Sequence, residues 1–159
     1  MSAIPAPVVP LVATESDTDA AAIEALVLAA FGPGRFAKTA ERLREGASVA
    51  AGFVIREGGA LVGSVRLWSI VVGGSPALFL GPIAVAADSR RAGLGAELVQ
   101  ACLDWASEQG LGVLLVGDPP YFGRFGFEVA PAVRLPGPVD SRRVMWRGAA
   151  PVSGEVRAA

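Results

Sequence analysis

Two permanent cations, Arg90 and Arg91, stand directly before Ala92-Gly93-Leu94-Gly95-Ala96. Upstream lies an apolar run, Leu78 to Val85, followed by the polar residues Asp88 and Ser89; downstream a helical pattern begins. Such a run reads as a strand buried on both faces, and the switch to a 3.6-residue period marks a strand–loop–helix unit. The two glycines remove Cβ atoms where the chain turns into the helix, so a ligand can approach the main-chain amides closely. A helix's first turn has N–H groups without intrahelical partners, and the macrodipole adds partial positive charge there. With two guanidinium groups beside it, the segment suits a diphosphate. The same residues also make a plain strand-to-helix turn, with glycines for tightness and arginines for solubility. Gly-x-Gly alone does not separate the two readings.

Two familiar phosphate loops fit poorly. No Gly-Lys-Ser/Thr follows, as a nucleoside triphosphate loop needs, and Leu98 stands where a dinucleotide fingerprint wants a third small residue. Arg90-Arg91-Ala92-Gly93-Leu94-Gly95 instead resembles the Gln/Arg-x-x-Gly-x-Gly/Ala signature of the GNAT superfamily of N-acetyltransferases. Downstream, Tyr121-Phe122-Gly123-Arg124-Phe125-Gly126-Phe127 resembles that family's late Tyr-x-(Lys/Arg)-x-Gly-Phe segment. The two stand in the family's order and about its distance apart, and the likeness spans roughly Val8 to Gly148. It implies a small bacterial single-domain acetyltransferase.

Composition narrows the chemistry independently. The chain has no histidine and one cysteine, Cys102, which excludes Ser-His-Asp, Cys-His and His-ligated metal sites, cysteine zinc clusters and any intramolecular disulfide. No metal site is expected. With 14 basic against 15 acidic residues there is no electrostatic footprint for nucleic acid or an anionic membrane. At 159 residues, 52% of them hydrophobic, the chain is long enough to bury a core. The start, MSAIPAPVVP, lacks a basic n-region, and no apolar run approaches a bilayer span. A soluble, cytoplasmic protein is expected, with one domain over residues 8–148 and tails at 1–7 and 149–159.

The elements that must position these residues follow from pattern. Val8 to Val12 reads as a first strand. A helix starts at Ser16, with Asp19 completing a capping box and Ile23, Leu26, Val27 and Ala30 forming one apolar stripe. A second helix is expected from about Phe36 to Arg44, closed by Gly46. Strands Ser48 to Arg56 and Ala60 to Val72 flank a Glu57-Gly58-Gly59 hairpin turn, and Ser64, Arg66 and Trp68 share one face. Gly81-Pro82 demands a break inside the buried strand, since proline cannot donate to a ladder. The central helix runs from about Gly93 to Glu108 on Leu94, Leu98, Ala101, Cys102 and Trp105. Leu111 to Val116 returns as a parallel strand, a short helix follows near Tyr121 to Phe125, and Phe127 to Ala130 and Arg142 to Arg147 are the last strands. Pro131 to Pro138 reads as a loop. The fold class is thus α/β, or α+β with a mixed sheet: antiparallel early, parallel at its centre, with flanking helices.

The resemblance supplies roles. It implies acetyl-CoA as co-substrate, its pantetheine paired with the backbone of Ile83, Ala84 and Val85 and its pyrophosphate held by Arg90, Arg91, Ala92, Gly93, Leu94, Gly95 and Ala96. It implies that Phe122 packs against pantetheine or core and that Arg124 reaches cofactor phosphate. The family's usual tyrosine, four residues before the glycine of Gly-Phe, is here Phe122. The chain's single tyrosine, Tyr121, stands one position earlier, a rotation of about 100° on a helix. Three readings stay open: Tyr121 as the catalytic acid, solvent as the proton source, or acyl-CoA binding without efficient turnover. Asp118, past the end of a parallel strand, is a candidate base or a cap for the next helix. Arg66 and Trp68 hint at an acceptor with an anionic or planar part. The reading is N-acetyl transfer in a ternary complex to a primary amine of a small molecule or peptide, with monomer and homodimer both open. The alternatives are a catalytically weak acyl-CoA-binding regulatory module and an unrelated nucleotide-binding α/β domain.

Overall fold

Two glycine pairs shape the antiparallel half of the sheet. Gly58 and Gly59 (φ +56° and +85°) and Gly73 and Gly74 (φ +54° and +87°) take the left-handed conformation at both central positions of two hairpin turns. That is the turn whose twist matches the flanking strands. The computed structural model describes residues 12–34, 38–89 and 92–159. The hairpins join β2 (Val49–Glu57), β3 (Ala60–Val72) and β4 (Ser75–Leu80). β4 starts at Ser75, three residues before the apolar run read from Leu78. β1 (Val12–Thr14) pairs antiparallel with β2; most of the strand expected at Val8 to Val12 lies outside the described residues.

β4 is split as its proline requires. After Leu80 the ladder breaks at Gly81-Pro82 and resumes as β5 (Ala84–Val85), which pairs with Gly63 and Ser64 of β3. The 16-residue helix α3 (Leu94–Gln109) then carries the chain to β6 (Val113–Val116), parallel to β4 through Leu78↔Val113 and Phe79↔Leu114. α4 (Pro119–Phe122) follows, then a 3-10 turn, Gly123–Phe125. β7 (Glu128–Val129), β8 (Val133–Arg134) and β9 (Val144–Arg147) come next. The main path of the sheet is β1-β2-β3-β4-β6-β9-β7. β8 lies inside the expected proline loop, and Ser141–Arg143 forms a 3-10 turn where a strand was expected.

One expectation is overturned outright. The stretch 149–159, expected as a tail, contains β10 (Gly154–Ala158), antiparallel to β3 through Val156↔Val72 and parallel to β8 through Gly154↔Val133. The reason lies in the length of β3. β2 leaves its edge at Trp68, so Ile70 to Val72 would expose unpaired backbone groups, and β10 occupies that edge. Val156 is 2% exposed.

Helices cover opposite faces. α3 packs Leu94, Leu98, Val99, Cys102, Leu103 and Ala106 onto Leu67, Leu78, Leu80, Val113 and Leu115. Its buried stripe is wider than expected, while Ala101 and Trp105 are only half-buried. On the other face α2 (Thr39–Glu45) sets Leu43 against Ile70, Phe79, Leu114 and Val156. α1 (Ala20–Phe31) sets Ile23 and Val27 against Val54 and Ala84; Ala30, expected on that stripe, is exposed. α2 begins later than expected, at Thr39, and the residues 36–37 of that expectation lie outside the described ones. Asp19 anchors the start of α1: its carboxylate accepts the Ser16 N–H at 2.9 Å and pairs with Arg56 of β2.

Candidate functional site

A cleft of about 540 Å³ passes between β4 and β6. The strands pair over only two registered residues and then diverge, because β4 is broken at Gly81-Pro82 while β6 continues. One wall is Leu80, Pro82 and Ile83; the other is Leu115, Val116, Gly117 and Asp118. Phe122 also lines it, and Phe31, Gly34, Lys38, Ala40 and Arg44 line it from the α1–α2 side. Since α3 packs on one face and α2 on the other, the cleft connects the two faces of the sheet.

The first turn of α3 is open. Gly93 takes φ +82°, no side chain caps this end, and a Cβ built at Gly93 would meet nothing within 4 Å. The first bond of the helix is donated by Glu97 N–H to the Gly93 carbonyl, at 3.1 Å. The amides of Leu94, Gly95 and Ala96 thus lead the helix with its partial positive charge. Leu94 can serve a ligand only through its main chain, because its side chain is 2% exposed in the core. Ala92 and Gly93 are exposed, and Gly95 and Ala96 half-buried; Arg90 and Arg91 lie outside the described residues. Past the β4 break, Ile83 lines the cleft. Among the described residues β5 pairs with β3 alone, which leaves the other edge of Ala84 and Val85 without a strand. An extended amide-bearing chain ending in a diphosphate fits this set: strand-edge groups at one end, uncapped helix amides at the other.

The adjacent aromatics of α4 point to different places. Phe122 faces the cleft and packs on Gly117 so closely that no Cβ fits there. It meets Phe127 edge-on, with ring centroids 6.0 Å apart. Tyr121 is half-buried, and its hydroxyl lies 3.5 Å from where a Cβ on Gly95 would stand. Arg124 is exposed, with its guanidinium 4.6 Å from the centroid of the Tyr121 ring and its Nε–H donating to the Tyr121 carbonyl at 3.3 Å. Asp118 caps α4 only through its main chain: its carbonyl accepts the Phe122 N–H at 2.9 Å, while its exposed carboxylate makes no capping bond. The expected side-chain cap is therefore absent, and the carboxylate borders the cleft.

On the other side Ser64, Arg66 and Trp68 do share a face. They line a cavity of about 70 Å³ with Glu24, Glu41 and Pro82. Arg66 is spoken for: its Nε and Nη2 donate to the two oxygens of Glu15, both at 2.9 Å. That pairing removes the basis for reading Arg66 as an anion receptor. Trp68 Nε1–H donates to the Gly81 carbonyl at 2.6 Å and so holds the strand break in place. Arg44 bonds Glu41 through Nε and Nη2, at 3.3 and 3.1 Å. Arg143 donates Nε–H to the Gly117 carbonyl at 3.3 Å. Phe31 and Arg143 are cleft residues that sequence reasoning did not single out, while Lys38 and Arg44 come from the second helical region, which the family resemblance puts on the acceptor side. The Glu41–Arg44 spacing of three on a helix offered a signal of its own. Cys102 is fully buried and its thiol is pushed far up by desolvation, so it is a core hydrophobe. No group of three or more metal-ligating side chains occurs among the described residues, and no described helix is long and apolar enough to cross a membrane.

Comparison with known proteins agrees with this geometry. The acetyltransferase (GNAT) family matches residues 20–127. The uncharacterized N-acetyltransferase YhbS of Escherichia coli K12 is 35% identical over 124 residues, covering 76% of this chain and 74% of YhbS. The crystal structure of Escherichia coli YhbS in complex with CoA superposes with a TM-score of 0.78 at 30% identity, covering 94% of this chain and 89% of that one. A GNAT family acetyltransferase from Brucella melitensis, in complex with acetyl-CoA, shares the fold with a TM-score of 0.72 at 23% identity, covering 93% and 94%. With its split strand, its parallel β4–β6 pair and these matches, the chain belongs to the GNAT acetyltransferase family.

Proposed function

We propose that the protein transfers an acetyl group from acetyl-CoA to a primary amine of a small molecule or peptide, by direct attack in a ternary complex. The observation that carries this reading is the cleft between the diverging β4 and β6, whose walls include residues of the core clusters on both faces and side chains of the α1–α2 region; the uncapped first turn of α3 supports it. The CoA complex of YhbS and the acetyl-CoA complex of the Brucella protein support the donor.

When bound, acetyl-CoA supplies a thioester whose carbon–sulfur bond breaks as the amine nitrogen bonds to the acyl carbon, giving an amide and a free thiol. The amides of Leu94, Gly95 and Ala96, with Arg90 and Arg91, hold the diphosphate. Ile83, Ala84 and Val85 offer strand-edge groups that align the arm. Tyr121, with its hydroxyl at Gly95, belongs to this holding set; its position favours that role over the catalytic-acid reading that the sequence left open. An acceptor entering as an ammonium loses two protons on becoming an amide. Asp118, on the cleft wall, is placed to take the first. The second matches the proton gained by the departing sulfur, which solvent supplies. Alignment of two reactants in one cleft is worth on the order of 7–11 kcal/mol in favourable cases.

The test is release of free thiol from acetyl-CoA with a panel of primary amines, beside calorimetric titration with CoA, ATP and NAD. Amine-dependent thiol release and selective CoA binding are expected. CoA binding with no release from any amine would leave an acyl-CoA-binding module instead, and equal binding of ATP would remove the donor assignment.

A further inference from the structure

The cleft carries more positive charge than a plain amine would tolerate. Lys38, the chain's single lysine, lines it, is exposed, and its ammonium has no partner among the described residues. Arg143 lines it too, held beside Asp118 by two bonds to Gly117: its Nε–H donates to the Gly117 carbonyl, and its own carbonyl accepts the Gly117 N–H at 2.9 Å. Its Nη groups make no bond to the described residues, so the forked face of the guanidinium is available. Among the described residues Asp118 is the single carboxylate on the cleft wall. Arg44 is set aside, since Glu41 offsets its charge.

An alkylammonium entering this space meets Lys38 and Arg143 with only Asp118 in its favour, and like charges in a shared site select against it. A ligand that also carries an anion reverses the balance. A guanidinium fork matches carboxylate and phosphate oxygens alike, and an ammonium adds a point charge. The remaining walls are apolar, with Phe31, Phe122 and Leu115.

We infer that the acceptor is a small amine carrying an anionic oxo group, carboxylate or phosphate, on an apolar body. Its amine is turned to Asp118 and its anion to Lys38 and Arg143. This inference rests on the acetyl-transfer reading above. Lys38 lies away from the donor's phosphates, because the open helix terminus belongs to α3 on one face of the sheet, whereas Lys38 leads α2 on the other.

The experiment uses the full chain with acetyl-CoA and three matched sets of acceptors, built on leucine, phenylalanine and 6-aminohexanoate. Each is offered as acid, carboxamide and phosphonate, with rates corrected for the fraction of free amine. In the sets that turn over, the acid or the phosphonate is expected to exceed the carboxamide at least tenfold in kcat/KM, and whichever leads identifies the oxo group. Lys38→Gln and Arg143→Gln are each expected to shrink that ratio at least fivefold through KM. Carboxamides accepted as well as acids, or ratios unmoved by both variants, would overturn the inference while leaving acetyl transfer intact. So would a loss of CoA affinity in either variant larger than the change in acceptor KM. Absence of thiol release from every acceptor, carboxamides included, would instead strike the acetyl-transfer reading itself.

Discussion

The groups proposed to hold the donor and those proposed to meet the acceptor are made of different material. On the α3 side the proposed groups are main chain: amides behind Gly93 and the strand edge of Ala84 and Val85. On the α1–α2 face they are side chains, Lys38, Arg44 and Phe31, drawn from separate segments. A main-chain site depends on where the backbone runs and is disturbed only when a Cβ intrudes or the turn is strained. A side-chain site changes with every substitution. The donor end can therefore stay fixed while the acceptor end is tuned residue by residue, which is how one fold can serve many acceptors.

Substitutions on either side test this contrast. Gly93→Val should act most strongly. It forces a β-branched residue into φ +82° and projects its side chain into the open space before the amides. CoA affinity should fall about 100-fold by titration calorimetry, near 2.7 kcal/mol, with the far-UV spectrum kept; unchanged affinity would remove the α3 turn from the donor site. Val156→Ala addresses the opposite face, where Val156 shares a buried cluster with Leu43 of α2. Loss of its two methyl groups should cost about 2 kcal/mol in denaturant unfolding, whereas a true tail would show no change.

Tyr121→Phe distinguishes holding from proton transfer. A holding hydroxyl is worth about 0.5–1.5 kcal/mol, so CoA affinity should weaken roughly two- to tenfold, with kcat falling no further. A fall in kcat of about 100-fold or more at unchanged affinity would restore the acid role. Smallest in reach is Asp19→Asn. The bond from Arg56, aided by the Ser16 N–H, holds the Asp19 carboxyl below its usual range. A depressed folded value gives stability that is complete above the unfolded pKa of about 3.9 and is lost as pH falls through the folded value. Melts from acid to neutral pH should therefore show a shallower acid-side loss in the variant, and an unchanged slope would deny the pair this role.

Much of the fold around the proposed donor end could be read from the chain because its signals are local. Gly81-Pro82 demanded a broken strand, the glycine turn announced α3, and apolar runs on both sides of the helix announced the parallel pair. What failed to show was non-local. Gly154–Ala158 offers one buried residue, Val156, behind Pro151, and nothing nearby reveals that the far edge of β3 awaits a partner. Arg66 was placed on the correct face, but Glu15, 51 residues earlier, neutralises it. Lys38 and Arg143 meet in one cleft from opposite ends of the sequence, a conjunction that no spacing rule contains. Tyr121 and Phe122 were legible as a one-residue offset from the family pattern; where each ring ends up depends on Gly95 and Gly117, from other elements.

Hydrogen exchange of the full chain with and without CoA decides whether these main-chain groups hold the donor. Peptides covering 92–98 and 81–86 should exchange more slowly when CoA is present, because the amides of the α3 turn and of β5 gain partners, while β10 and β7 should be unaffected. Unchanged exchange in both segments at saturating CoA would put the donor site elsewhere than the α3 turn and β5.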